Sequence, residues 1–258
     1  MGGHQSAEQH VDALRNRRAL LLGLALLAPA TPVAAQGTVP ASSPWPSNAE
    51  WLVAGGIVAG SFLLDEEARE ELSLERSDGQ SGLERVGNRF GNPLVASAAI
   101  ALGYAAGRVA DRPGLTEGAT RAAAGFLATG AVTQSLKWVV GRPRPGLGAD
   151  ELQPGSLDND HQAWPSGHAS VAFSLATSVA METEDPWIGA AAYGLAGVTA
   201  WSRVYADRHW TSDVVAGAVI GTLATRATIR WLDARQAGGS PPVLSVGPRG
   251  ATLTLSLP

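Results

Sequence analysis

The chain has no cysteine. Disulfides and thiolate metal sites are therefore excluded, and cysteine usage carries no information about the compartment. Charge is also scarce. Asp, Glu, Lys and Arg make up 16% of the 258 residues, against about 25% in an ordinary soluble domain. The formal net charge is -4, which argues against a nucleic-acid partner. Long apolar runs are missing too. Most charge-free stretches fall short of the ~20 residues that a membrane-spanning helix needs, and mean hydropathy is only +0.04. Together these absences favour a water-soluble or membrane-peripheral bundle of closely packed helices.

What the chain has in quantity is small and apolar: 45% hydrophobic residues and 31 glycines. Six stretches carry this composition, at 49–64, 93–110, 119–140, 168–181, 187–203 and 212–233. Segments such as "GYAAG" and "GVTAWS" place small residues at helical spacing, where two backbones can approach closely. The expected fold is all-α: a helical bundle of about six Ala/Gly-rich helices with a short C-terminal β-hairpin. Residues 65–93 read as a polar linker, helical only in part. The hairpin is expected because Leu253, Leu255 and Leu257 alternate with Thr252, Thr254 and Ser256 after a turn at Gly247-Pro248-Arg249-Gly250.

The N-terminus has its own pattern. Arg15, Arg17 and Arg18 precede the short apolar run "ALLLGLALLA", and Val33 and Ala35 follow at small-residue cleavage spacing. This is the layout of a secretory signal peptide, with cleavage expected before Gln36. Ten apolar residues span only about 15 Å as a helix, too little for a ~30 Å hydrocarbon core. The chain therefore divides into a signal peptide (1–35), a Pro- and Ser-rich coil (36–48), a helical domain (49–236) and a hairpin tail (237–258). An exported or periplasmic location follows, either soluble or membrane-associated.

Three charged clusters interrupt the greasy segments. The first is "KWVVGRPRP", Lys137 to Pro145. Gly141 offers a helix C-cap, and two X-Pro steps hold Arg142 and Arg144 in extended chain. Lysines near helix ends often just snorkel to water, but two arginines fixed by prolines present guanidinium forks to an anion. The second is "WPSGHAS", Trp164 to Ser170. Ser166 is a candidate N-cap, and a helix N-terminus after Ser-Gly is an anion site. His168 stands there, able to give or take a proton; the plain alternative is a capped helix with a surface histidine. The third is "SRVYADRHWTSD", Ser202 to Asp213. His209 and Asp213, four apart, can share a helix face, and a carboxylate beside an imidazole selects one tautomer. Arg203 precedes them. Here the alternative is a charged loop, the role expected of Asp207 and Arg208. Combined, the clusters equip a pocket for a tetrahedral oxyanion, with a nucleophile and a general acid on opposite sides. The His and Asp spacing builds no metal site, and no cofactor is implied.

The clusters resemble the three signature motifs of the type-2 phosphatidic acid phosphatase and vanadium haloperoxidase superfamily. Lys137, six residues, then Arg144-Pro145 matches the first motif. Pro165-Ser166-Gly167-His168 matches the second. Ser202-Arg203, five residues, His209, three residues, Asp213 matches the third. The resemblance covers about residues 90–230. It implies a helical bundle with the site between helices, and it implies roles. His209 is the nucleophile that forms a phosphohistidine, and Asp213 orients it. His168 protonates the leaving oxygen and then activates water. Lys137, Arg144, Ser166, Gly167 and Arg203 bind the phosphoryl oxygens. Arg142, outside the strict motif, ranks as a rim residue. The function expected is a metal-independent phosphatase, of the bacterial phosphatase branch, acting on phosphomonoesters or lipid phosphates, with possible contact to a membrane surface. A vanadate-dependent haloperoxidase and a non-catalytic anion-binding envelope protein are the alternatives.

Overall fold

The computed structural model describes residues 44–75, 82–147 and 151–236, with two short pieces of the tail at 243–247 and 250–254. The expected signal peptide lies outside the described residues, as does most of the coil after it. The six apolar stretches all form helices: α1 (Asn48–Ser61), α4 (Pro93–Val109), α5 (Pro113–Val140), α6 (Gly167–Glu182), α7 (Pro186–Tyr205) and α8 (Thr211–Gln236). Their starts are written locally. Asn92 caps α4 by accepting from Leu94 N–H at 2.9 Å, and Asp185 caps α7 by accepting from Trp187 N–H at 2.8 Å. In each case proline fills the first helical position, where no N–H is needed. Ser47 and Glu50 form a reciprocal capping box at the start of α1. Helix α5 begins six residues earlier than its apolar pattern, because its first turns are polar and carry no hydrophobic period.

The polar linker is helical in part, as expected, but its helices raise the number above the expected six. It folds into two further helices, α2 (Asp65–Glu75) and α3 (Gly82–Phe90), with a single 3-10 turn, Phe62–Leu64, joining α1 to α2. Helix α3 packs along α7, and α2 touches both α7 and α8. The terminal hairpin expected over 237–258 is not supported. Its turn, 248–249, and both flanks, 237–242 and 255–258, lie outside the described residues.

Helices α6 and α8 form the centre, with α5 and α7 against them, α4 on α5 and α1 on α8. The core is built of small side chains: Ala169, Ala200, Val204 and Val214 in one cluster, and Ala172, Ala176 and Ala196 in another. Small residues let the central pair meet backbone to backbone. A Cβ on Gly217 of α8 would stand 2.6 Å from the Ser166 carbonyl at the start of α6. Buried hydroxyls pair across the interfaces, with Thr225 facing Ser174 at 2.8 Å and Thr129 at 3.3 Å, so these polar groups are not buried unpaired. Among the described residues, no helix is long and apolar enough to cross a membrane.

Candidate active site

The three charged clusters meet at one end of the bundle, each at a helix terminus. Gly141 ends α5 in the left-handed conformation (φ 60°), its N–H returning to the Lys137 carbonyl at 2.9 Å. The extended chain beyond it carries Arg142 and Arg144. Ser166 is the N-cap of α6, with its hydroxyl accepting from Ala169 N–H. Arg203 lies in the last turn of α7, and Asp213 in the first turn of α8. His209 sits in the connection just before α8 rather than on the helix. The expected pairing nevertheless forms, with Nδ1 3.4 Å from Asp213 Oδ2.

Backbone bonds tie the clusters together. Ser166 N–H donates to the Asp213 carbonyl at 2.8 Å, joining the second motif to the third. Ala163 N–H donates to the Arg142 carbonyl at 2.9 Å. Arg144 reaches in both directions, to the Asn159 carbonyl at 2.9 Å and the Arg208 carbonyl at 3.0 Å. Lys137 Nζ donates to the Gln162 carbonyl, and a Cβ on Gly167 would lie 3.7 Å from Lys137 Cε. Lys137, Arg144, Ser166, Gly167, His168, Arg203, His209 and Asp213 are thus gathered in one place.

Their charges are mismatched with their surroundings. Burial, reinforced by Arg144, pulls Lys137 down to about 8. Arg203 falls to about 10, through burial first and then Arg144. Burial and then Arg208 lower Arg144. Both histidines are held neutral. Burial, then Arg203, His209, Arg144 and Lys137, bring His168 to about 3. Burial and the same three cations push His209 well below its ordinary value. Asp213 is fully buried and rises to about 6, with Arg142 the first influence opposing that rise. The pocket is a cluster of under-compensated cations around two neutral imidazoles, which is the environment an anion relieves. Among the described residues, no group of three His, Cys, Asp or Glu is placed to hold a metal ion.

Two sequence expectations are corrected. Arg142 is not a rim residue. Its Nη1 donates to Asp213 Oδ1 and to Ser212 Oγ, both at 2.7 Å, and its Nη2 donates to Asp65 Oδ2 at 2.8 Å. Asp207 is not simply an exposed loop residue, since it pairs with Arg69 of α2 at 3.0 Å. The residues that sequence reasoning missed come from the supposed linker: Asp65, Arg69 and Asn88. Asn88 accepts from Arg203 Nη1 at 2.5 Å, and Glu84 of α3 also acts electrostatically on Arg203. Nothing local marks these residues, because each meets its partner across more than a hundred positions or between separate helices. The tryptophans divide. Trp210 is structural, donating to the Pro143 carbonyl at 3.1 Å, and Trp201 stacks on Tyr205, whereas Trp138 is exposed.

Residues 118–237, which contain all three motifs, match the sequence profile described as the PAP2 superfamily. This part of the chain resembles the PAP2 superfamily. A curated relative, the lipid A 1-phosphatase of Porphyromonas gingivalis, is 36% identical over 103 residues, which is 39% of this chain and 21% of that protein. The match therefore spans about a fifth of the relative's length. Among solved structures, Aquifex aeolicus LpxE superposes with a TM-score of 0.50 at 20% identity, covering 65% of this chain and 95% of that one. A transmembrane PAP2 type phosphatidylglycerolphosphate phosphatase from Bacillus subtilis gives a TM-score of 0.41 at 15% identity, covering 84% and 95%. The matched region starts in α5 and ends with α8. It leaves out α1 to α4, and hence Asp65, Arg69 and Asn88.

Proposed function

We propose that this protein is a metal-independent phosphatase that hydrolyses phosphate monoesters of lipids through a phosphohistidine intermediate. The observation that carries the reading is the grouping of Lys137, Arg144 and Arg203 around two buried neutral histidines, one of them backed by Asp213. Nε2 of His209 attacks phosphorus while Nδ1–H points to Asp213. The ester P–O bond breaks, and the leaving oxygen takes a proton from His168. His168 then removes a proton from water, whose oxygen attacks the phosphohistidine. Inorganic phosphate leaves and His209 is regenerated. Lys137, Arg144, Arg203, the Ser166 hydroxyl and the Gly167 N–H hold the equatorial oxygens, where charge is spread in the transition state.

His168 must be protonated for the first step, yet in the free site it is neutral down to about 3. The substrate resolves this. A phosphate dianion compensates the three cations that depress His168 and supplies an opposite charge beside it, so its proton affinity rises on binding. The acid is thus made by the substrate that needs it.

The lipid preference is supported by the apolar character of the segments carrying the site. Phe62, Leu63, Trp138, Leu147, Leu152 and Leu157 are all exposed, and α1 exposes Trp51, Leu52 and Ile57. Such a surface suits an acyl chain or the face of a membrane. The relative's name, a lipid A phosphatase, points the same way. The catalytic unit is residues 49–236, exported if residues 1–35 act as a signal peptide. Phosphate release in EDTA tests the reading, comparing phosphatidate in mixed micelles with a soluble aryl phosphate. Faster turnover of the micellar lipid is the expected result. Hydrolysis of neither, or undiminished hydrolysis by His209→Ala, would falsify it.

A further inference from the structure

Asp213 lies wholly inside the protein, and its two oxygens have different partners. Oδ2 accepts from Trp210 N–H at 2.9 Å and faces His209 Nδ1 at 3.4 Å. Oδ1 accepts from Arg142 Nη1 at 2.7 Å. The other arm of the same guanidinium goes to Asp65 Oδ2 at 2.8 Å. Asp65 in turn accepts from Ser212, from N–H on Oδ1 and from the hydroxyl on Oδ2, both at 2.7 Å. Ser212 also receives Arg142 Nη1 on its hydroxyl at 2.7 Å. Four groups from three separate parts of the chain close one network behind the histidine. The rings of Phe62 and Trp210 lie against the guanidinium, 5.0 and 5.2 Å from its carbon. Ion pairs set its direction in plane, and the rings restrict its tilt.

We propose that Arg142, oriented by Asp65, is a positioning residue that aims the Asp213 carboxylate at His209. The proposal rests on the phosphatase reading above. Neither Arg142 nor Asp65 belongs to the three motifs, and Asp65 stands outside the matched region. The physical need is plain. A carboxylate buried this deeply tends to take up a proton, and a protonated Asp213 cannot balance the positive charge that develops on His209. The charged groups facing Asp213 are Arg142 and Arg144 from the loop after α5, Lys137 from α5 and His209 from the connection before α8. From α6 the contact is a backbone hydrogen bond. Among the cations of the described residues, Arg142 is the one hydrogen-bonded to the carboxylate, and it opposes protonation most strongly. On the phosphatase reading, Lys137 and Arg144 serve the substrate's phosphate. Arg142 is turned away from it by Asp65, so its charge stays with Asp213 throughout the cycle.

The test uses the purified full mature chain in detergent, with kcat and KM for phosphatidate micelles and an aryl phosphate measured across acid to alkaline pH. The variants are Arg142→Met, Arg142→Lys and Asp65→Asn, with His209→Ala as reference. Arg142→Met is expected to lower kcat by about 10- to 100-fold, the scale seen when an outer support of an active-site ligand is removed, with KM unchanged. Its acid limb of kcat moves up by about one pH unit, as expected on losing an opposite charge at hydrogen-bond range. Arg142→Lys recovers part of both effects, because it restores the charge without the fork. Asp65→Asn keeps the shape and the fold, and shifts the limb in the same direction by less. An unchanged kcat and acid limb in Arg142→Met overturns the proposal. So does a loss confined to KM, which would make Arg142 a phosphate ligand, and so does a Lys variant no better than Met. A downfield imidazole proton in the NMR spectrum, assigned by its loss in His209→Ala, reads the same contact without turnover. If wild type proves inert, the phosphatase reading fails. Persistence of that proton in Arg142→Met would then still overturn the positioning role, and its loss would support it.

Discussion

His168 and His209 differ less in surroundings than in what stands behind them. His209 has a carboxylate at Nδ1, whereas the charges acting on His168 are cationic. On the proposed mechanism, that asymmetry separates the nucleophile from the acid. Replacing His168 by Ala is expected to cost about 10²- to 10⁴-fold in kcat on an alkyl phosphate, the usual worth of a general acid or base. The same variant should lose far less in the phosphorylation step on a nitrophenyl phosphate, whose leaving oxygen needs no proton. Single-turnover release of nitrophenol separates the two; equal losses on both substrates would contradict the acid role. The pH dependence has a definite sign. With its proton affinity depressed in the free site, His168 stays neutral through pH 5 to 7, and bound phosphate raises it. Ring-proton chemical shifts of His168 should therefore titrate in that range only when inorganic phosphate is present.

At the scale of elements, the crossing of α6 and α8 sets the site. The N-terminus of α6 presents Ser166 and Gly167, and it is pinned by Ser166 N–H to the Asp213 carbonyl in the first turn of α8. Gly217, one turn further on, leaves room for that approach. Gly217→Ala puts a Cβ 2.6 Å from the Ser166 carbonyl, so the helices must part. The expected cost is about 1–3 kcal/mol of stability, typical of overpacking. A weaker inhibition by vanadate should accompany it, since the anion-binding end of α6 moves. Denaturant titration and a vanadate inhibition constant measure the two effects, and wild-type values for both would show that the approach is not required. The short helices α2 and α3 belong to this scale as well. Through Arg69 with Asp207 and Asn88 with Arg203 they brace the α7 side of the α7–α8 connection.

For the molecule as a whole, the cation cluster sets stability against function. Lys137 is buried with its pKa lowered from 10.5 to about 8. A depressed folded pKa means stability is fully present above about 10.5 and is lost as pH falls through about 8. At pH 7 the charged Lys137 therefore destabilises the free protein. Lys137→Met is expected to raise unfolding stability at pH 7 by about 1–3 kcal/mol, each pKa unit being worth about 1.4 kcal/mol, while activity is lost. Inorganic phosphate should raise the wild-type Tm, by about 2.7 kcal/mol of stability at a hundredfold excess over Kd, and should leave the Lys137→Met melt nearly unchanged. Melting curves with and without phosphate check both statements. A destabilised variant with a full phosphate response would refute them.

Much of this was written locally. The cap of α5 at Gly141, the proline starts of α4 and α7 and the Ser166 cap depend on backbone conformation and on missing or supplied hydrogen bonds within a few residues. The six apolar stretches likewise follow from side-chain period. The three motifs could be read because each keeps its residues within twelve positions, where helix and turn geometry determines relative placement. Tertiary structure alone decided the rest. That Arg142 turns inward depends on Asp65, 77 residues away, and that Arg203 is held depends on Asn88, 115 residues away. The polar linker gives no local sign of its role because Arg69, Asp65 and Asn88 meet Asp207, Arg142 and Arg203 far away in sequence. Hydrogen bonds, burial and the electric field at a histidine depend on distance in space and on the water excluded there. The sequence named the candidate catalytic residues; only the folded chain decided which charges surround them and in which protonation state they wait.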